Sequence, residues 1–187
     1  MTAFLMSTFL VALAEIGDKT QLLALLLAAR YRRRWPIVWG ILVATILNHA
    51  LAGVLGSWMA SLFAPNTLRW LLGLSFLLMA LWVLVPDKLD NEEPTHTAWG
   101  VFATTTLAFF IAEMGDKTQL ATVALAAQFQ SLFAVVLGTT LGMMLANAPV
   151  VFFGDRISKK VSIVAVHRIA AGIFALIGLW ILIGIKP

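Results

Sequence analysis

Apolar residues in this chain fall into six long runs, each of them long enough to cross the core of a bilayer. A membrane-spanning helix needs about 20 mostly apolar residues. Of the 187 residues, 61% are apolar and only 12% are charged, whereas about a quarter of the residues in a soluble domain are charged. We therefore predict an all-α integral membrane protein with six transmembrane helices. The predicted spans run from Ala3 to Ala29, Ile37 to Leu62, Leu68 to Val85, Trp99 to Ala127, Leu132 to Phe153 and Arg168 to Ile185.

One short polar motif occurs twice inside these apolar runs. The sequence EIGDKTQL at residues 15–22 returns as EMGDKTQL at residues 113–120. The same offset of 98 residues pairs Gly40 with Gly138 without any gap. Such agreement over three spans indicates an internal duplication. The predicted parts are repeat 1 at residues 1–88 with its motif at 15–20, an acidic linker at 89–98, and repeat 2 at residues 99–187 with its motif at 113–118.

Three spans in each repeat mean that the second repeat enters the membrane from the opposite side. Two inverted-topology repeats are the arrangement of many secondary transporters, whose binding site lies near the bilayer midplane where the repeats meet. Basic residues in the loops decide the orientation, because cytoplasmic loops carry an excess of Lys and Arg. One side receives nine of them and the other side two. The nine are Arg30, Arg32, Arg33, Arg34, Lys88, Arg156, Lys159, Lys160 and Arg168, and the two are Arg69 and Lys186.

This distribution predicts a multi-pass protein of the inner (plasma) membrane with both termini outside the cytoplasm. The acidic linker is interpreted as a solvated cytoplasmic connection between the repeats. The net charge of +4 then reflects topology signals, so no nucleic-acid partner is predicted. The partners that we expect are the lipid bilayer and an ion, and the sequence leaves a homo-oligomer open.

The motif places charged residues near the middle of spans one and four. A charge at the centre of a spanning helix costs about 2.5–3.5 kcal/mol, and such residues are kept where they pair, face a wet cavity or bind something. Four acids and two lysines sum to −2, which one divalent cation would neutralise. We predict the four carboxylates as metal ligands: Glu15, Asp18, Glu113 and Asp116.

The chemistry of these side chains limits which ions the site can bind. The chain has no cysteine, which excludes thiolate metal sites. Carboxylate oxygens prefer hard cations such as Mg²⁺, Mn²⁺ and Ca²⁺. Burial and mutual repulsion disfavour the charged form of clustered carboxylates, so protons can compete with the cation. Gly17 beside Asp18 marks a point where the helix can unwind and offer backbone carbonyls. Together these features predict a cation/proton exchanger.

Several other polar residues are interpreted as supporting the site, each with a structural alternative. The lysines either replace the cation in the empty site or extend toward the surface, and each can also pair with the glutamate four residues earlier on one helix. The threonines and glutamines are ligands or interhelical hydrogen-bonding groups. His49 and Asn147 occupy equivalent positions and are either interhelical or part of a proton relay, whereas His167 is expected in a loop. The supporting residues are Lys19, Lys117, Thr20, Thr118, Gln21, Gln119, His49 and Asn147.

The doubled Glu-x-Gly-Asp-Lys-Thr motif on spans one and four resembles the signature of the Golgi-type manganese/calcium transporter family. This family has relatives in chloroplast and bacterial membranes, including MneA-type manganese exporters, and the resemblance covers essentially the whole chain. It implies movement of Mn²⁺ or Ca²⁺ against protons. The acidic residues of the family motif correspond here to Glu15, Asp18, Glu113 and Asp116. The short length is similar to that of the bacterial members, for which manganese export is the usual assignment.

Three classes of function are compatible with these features to different degrees. The first is a divalent cation/proton antiporter that exports Mn²⁺, or alternatively Ca²⁺, by alternating access. The second is a divalent-cation channel in which the same acids form a selectivity constriction. An intramembrane enzyme is disfavoured because the sequence contains no nucleophile–base pairing such as Ser with His. We expect no permanently bound cofactor, since the metal ion and the protons are cargo.

Overall fold

The computed structural model of this protein describes residues 1–85, 100–154 and 163–183. These residues form eight α-helices and contain no strand. The acidic linker predicted at residues 89–98 lies outside the described residues. The helices are α1 (Thr2–Glu15), α2 (Lys19–Tyr31), α3 (Arg34–Leu62), α4 (Pro65–Val83), α5 (Gly100–Glu113), α6 (Lys117–Phe129), α7 (Leu132–Phe153) and α8 (Ile163–Ile183).

Four of these helices are long and apolar enough to cross a membrane, namely α3, α4, α7 and α8, while α1 and α5 are shorter apolar helices. Large apolar side chains cover much of the outer surface; Leu51, Leu78 and Leu81 are each exposed over at least 60% of their area. Five of the six charged motif residues are buried instead, and Lys19 is half-buried. Apolar side chains on the surface and charged side chains in the interior are expected for a protein that is surrounded by lipid.

Predicted spans one and four are each divided into two helices at the motif. The break between α1 and α2 contains Gly17 with φ +84°, and the break between α5 and α6 contains Gly115 with φ +75°. Glycine adopts this left-handed region without the steric penalty that a Cβ brings. The predicted unwinding at Gly17 therefore occurs, and the second copy unwinds at Gly115 in the same way.

The helices repeat with the same offset as the sequence. Each of α5, α6, α7 and α8 begins 98 residues after its counterpart among α1, α2, α3 and α4. The packing is reciprocal, because α7 lies along α1 while α3 lies along α5. A Cβ added at Gly40 of α3 would lie 2.7 Å from Cβ of Thr105, and one at Gly138 of α7 would lie 2.9 Å from Cβ of Ser7. The glycines permit the same close crossing in both halves.

This crossing brings the two motifs together. The third helix of each half packs against the first helix of the other half, and charged side chains of the two motifs are in contact. Helices α4 and α8 pack against each other, where Cβ at Gly178 would lie 2.9 Å from the carbonyl oxygen of Gly73. Helix α8 begins at Ile163, five residues before the predicted start, and therefore includes His167. The expectation that His167 lies in a loop is wrong.

Candidate cation site

Both motif turns have the same backbone geometry. The amide of Asp18 donates to the carbonyl of Glu15 at 3.1 Å, and the amide of Asp116 donates to the carbonyl of Glu113 at 3.2 Å. Each aspartate is the N-cap of the following helix, yet neither carboxylate makes a capping hydrogen bond. Aspartate is among the preferred N-cap residues because its oxygen can accept from the first turn. Here the carboxylates are directed to other partners.

Those partners are the lysines of the opposite motif copy. Lys117 Nζ lies 2.7 Å from Asp18 Oδ1, and Lys19 Nζ lies 3.5 Å from Asp116 Oδ1. The two ion pairs therefore cross from one half to the other. The alternative in which each lysine pairs with the glutamate of its own copy is not what the described residues show, because the helix break lies between them. The side chain of Lys117 is 1% exposed, which also contradicts its extension to the surface.

Three of the four predicted ligands form a compact group. Glu15, Glu113 and Asp116 each offer one carboxylate oxygen, and these oxygens all lie within 4.8 Å of one another. Two oxygens bound to one hard cation at about 2.1–2.5 Å are at most about 4–5 Å apart, so the spacing is close to that of metal ligands. All three side chains are buried. Asp18 lies outside this group and contacts Lys117.

The threonines fix one oxygen of each glutamate. Thr20 Oγ1 donates to Glu15 Oε2 at 2.6 Å, and Thr118 Oγ1 donates to Glu113 Oε2 at 3.0 Å. The other oxygen, Oε1, of each glutamate is buried and has no hydrogen-bond partner among the described residues. A buried carboxylate oxygen without a partner is costly. The two Oε1 atoms are therefore suited to accept a cation or a proton.

The glutamines hold the backbone of the turns. Gln21 Oε1 accepts from the amide of Gly17 at 3.0 Å, and its Nε2 donates to the carbonyl of Ala146 at 3.0 Å. In the second copy, Gln119 Oε1 accepts from the amide of Gly115 at 2.7 Å. Each glutamine therefore caps a turn and also reaches a helix of the opposite half, which corresponds to the interhelical alternative.

A doubled acidic motif in this setting is also what comparison with known proteins finds. The family model described as divalent cation/proton antiporter GDT1 matches residues 3–91 and residues 101–186, and the two matched segments begin 98 residues apart. The chain belongs to this family. The resemblance drawn from the motifs is thereby confirmed, and so is the predicted class of function, a divalent cation/proton antiporter.

Relatives with known sequences match nearly the whole chain. A protein of Vibrio cholerae named "Putative manganese exporter" is 51% identical over 180 residues, which cover 96% of this chain and 90% of the relative. A GDT1-like protein of Synechocystis is 29% identical over 96% of this chain and 98% of its own length. GDT1-like protein 5 of Arabidopsis thaliana is 28% identical over 87% of both chains. No solved structure matches this chain.

The remaining supporting residues of this GDT1-family chain differ in their surroundings. His49 is buried in α3, and neither of its ring nitrogens has a hydrogen-bond partner among the described residues. Asn147, at the equivalent place in α7, donates to the carbonyl of Met143 at 3.1 Å and contacts its sulfur at 2.9 Å. Asn147 thus bonds within its own helix. A proton-relay role for His49 stays a prediction.

Two residues near the motif turns are not among the predicted site residues, although the sequence favours an interhelical hydrogen bond for Asn48 in the middle of span two. Asn48 of α3 donates to the carbonyl of Phe110 at 3.0 Å and accepts from Gln119 at 3.3 Å. His167 Nε2 lies 2.8 Å from the carbonyl oxygen of Ile16, at the end of α1. A polar residue within an apolar span was a usable signal for Asn48. No comparable signal indicates a role for His167. The hydropathy pattern starts the last span at Arg168, one residue after it, and so places His167 outside the helix.

Proposed function

We propose that this protein exports Mn²⁺ from the cytoplasm in exchange for protons, at a site between two inverted repeats. On this proposal α1 with α2, and α5 with α6, form two discontinuous spans, which together with the four long helices give six. The observation that carries the proposal is the buried group of Glu15, Glu113 and Asp116, whose carboxylate oxygens lie within 4.8 Å of one another. The name of the Vibrio cholerae relative supports Mn²⁺ as the ion, with Ca²⁺ as the alternative.

The three grouped carboxylates act as ligands in this proposal, and Asp18 is the fourth. Oxygen donors of this kind suit Mn²⁺ and Ca²⁺ alike. When the cation leaves, like charges stay close together in a dry environment, which favours their protonation. The partnerless Oε1 atoms of Glu15 and Glu113 are the atoms that we assign to these protons. Binding of cation and binding of protons then exclude each other, as exchange requires.

The crossed lysines have a role in the empty site. Lys19 and Lys117 neutralise Asp116 and Asp18 across the boundary between the halves. An incoming divalent cation competes with the ammonium groups for these carboxylates. Movement of one repeat against the other would expose the site alternately to the two membrane faces, with the cytoplasmic face at the arginine-rich loop after α2.

Proteoliposomes that contain the purified protein and an internal pH-sensitive dye test this function. An imposed Mn²⁺ gradient is expected to drive opposed proton movement in the wild type, and the variant Asp18→Asn/Asp116→Asn is expected to lose it while remaining folded. Repeating the experiment with Ca²⁺ compares the two ions. Mn²⁺ flux without proton movement would favour the channel instead. A fully active double variant would contradict the shared site.

A further inference from the structure

Asn48 links the two helices on either side of the second motif turn. Its Nδ2 donates to the carbonyl of Phe110 at 3.0 Å, and its Oδ1 accepts from Nε2 of Gln119 at 3.3 Å. Phe110 belongs to the last turn of α5, and Gln119 to the first turn of α6. One buried side chain from α3 therefore contacts both half-helices of the opposite half of the molecule.

The contact with Phe110 satisfies a group that the helix end leaves open. The last four carbonyls of a helix lack intrahelical donors. The amide of Met114, which would reach Phe110 in a continued helix, donates to the carbonyl of Ile111 at 3.2 Å instead. The Asn48 amide thus occupies the place of the missing donor. Asn48 itself belongs to α3 and not to the motif.

The contact with Gln119 extends this link into the turn itself. Gln119 Oε1 accepts from the amide of Gly115 at 2.7 Å. A chain of hydrogen bonds therefore runs from the end of α5 through Asn48 and Gln119 to the backbone of the turn. The turn enclosed by this chain carries Glu113 and Asp116, two of the three grouped carboxylates.

The residue equivalent to Asn48 makes no such side-chain link at the first motif turn. The residue equivalent to Asn48 is Ala146 of α7, which offers only its backbone carbonyl to Gln21. An alanine side chain cannot donate to the end of α1. The two equivalent glutamines therefore have different partners. Gln119 binds the side chain of Asn48, whereas Gln21 binds only the backbone of Ala146.

We propose that Asn48 is a positioning residue of the cation site, which holds the ends of α5 and α6 so that Glu113 and Asp116 stay at ligand distance. Asn48 does not itself bind the ion and acts through Gln119 and the backbone of the turn. The inference rests on the proposed function, because it requires that the grouped carboxylates bind the transported cation. Residues that orient metal ligands in this way typically change metal affinity or activity about 10–100-fold when they are replaced.

Calorimetric titration of the purified protein with Mn²⁺ tests this role, together with flux measurements in proteoliposomes. Asn48→Leu removes both hydrogen bonds and keeps a similar volume. It is expected to weaken Mn²⁺ binding and to raise the apparent KM by about tenfold or more, with a smaller change in the maximal rate. The matched control is Thr139→Val, which alters a similarly buried polar side chain whose hydrogen bonds stay within its own helix. This control is expected to leave the KM unchanged.

A second variant approaches the same link from the other side. Gln119→Ala is expected to raise the KM in a similar way, and the double variant Asn48→Leu/Gln119→Ala is expected to add little to the larger single effect, since residues in one network are not additive. Wild-type affinity in Asn48→Leu, or an equal loss in Thr139→Val, would overturn the positioning role alone. A wild type that neither binds nor moves Mn²⁺ or Ca²⁺ would instead overturn the proposed function and this inference with it.

Discussion

The two motif copies have nearly the same sequence but different surroundings. The turn of the first copy lies against α8, where His167 Nε2 is 2.8 Å from the carbonyl oxygen of Ile16. A Cβ added at Gly17 would lie 2.5 Å from Cγ2 of Ile163. Among the described residues, nothing covers the turn of the second copy in this way. Met114 is 60% exposed, and no atom of the described residues comes within 4 Å of a Cβ added at Gly115.

The lysines of the two copies also differ in their exposure. The side chain of Lys117, from the second copy, is 1% exposed and pairs with a fully buried aspartate, whereas that of Lys19 is 28% exposed. The contrast shows that the motif sequence determines the backbone conformation of the turn. Packing by helices outside the motif determines how far the turn is exposed. An alternating-access exchanger needs one covered and one open side at a time. The proposed function therefore predicts that the two turns exchange these surroundings during transport.

The largest difference between the copies is expected when the lysines are replaced. Lys117→Met leaves the Asp18 carboxylate buried without its ammonium partner, and removal of one partner from a buried ion pair costs about 3–5 kcal/mol. Lys19→Met breaks a longer pair, at 3.5 Å, whose lysine is 28% exposed and therefore screened by its surroundings, so it is expected to cost less than Lys117→Met although Asp116 is buried. Unfolding of the two variants in detergent measures the difference.

The control for this comparison is Lys117→Arg, which keeps the positive charge. It is expected to retain more of the stability than Lys117→Met, because the charge on Asp18 stays compensated. Equal losses in Lys117→Met and Lys19→Met would mean that the difference in burial between the two ion pairs has no energetic consequence.

The glycines of the turns provide a comparison of intermediate size. Both have positive φ, so replacement by alanine is expected to cost about 1–2 kcal/mol of unfolding free energy at either position. Gly17→Ala also forces its new Cβ against Ile163, which adds about 1–3 kcal/mol for overpacking. No described residue lies within 4 Å of the Cβ that Gly115→Ala introduces, so no such addition is expected there. Chemical unfolding in detergent measures both.

Replacement of Ile163 tests whether its contact with the new Cβ causes the extra cost of Gly17→Ala. In an Ile163→Ala background the two glycine variants are expected to have similar costs, because the double replacement removes the clash. A persistent excess for Gly17→Ala in this background would place the extra cost elsewhere than in the contact with α8.

Much of the site is predictable from the sequence, for physical reasons that lie within single segments. A Glu, an Asp and a Lys inside an apolar span are too costly to be kept without a function, so the six charged motif residues stand out. Gly17 next to Asp18 indicates the unwound turn, and the fixed offset of 98 residues relates the two halves. The charged residues and the glycine are recognised within one short segment, and the offset is recognised by comparing the two copies of that segment.

The pairing within the site is not predictable in this way. Spacing along one helix favours Lys19 with Glu15, whereas the break separates them and the lysine contacts Asp116 of the other copy. Asp18 and Asp116 are equivalent in sequence, yet only Asp116 joins the group of close carboxylates. Differences between equivalent residues arise from how the two halves pack, and a duplicated motif carries no information about that.

The smallest expected effect concerns the contact of His167 with the first turn. The chain has no cysteine, so single-cysteine variants report the accessibility of one site each. Met114→Cys is expected to react with a membrane-impermeant maleimide faster than Ile16→Cys, because Met114 is 60% exposed within the described part of the chain and Ile16 is partly covered. Adding His167→Ala removes one hydrogen bond, worth about 1 kcal/mol, and is expected to raise the labelling rate of Ile16→Cys roughly fivefold. The rate of Met114→Cys should change little, because His167 contacts the first turn. Equal acceleration at both positions would mean that His167 stabilises the whole fold, whereas a selective effect at Ile16→Cys would identify α8 as the element that covers the first copy.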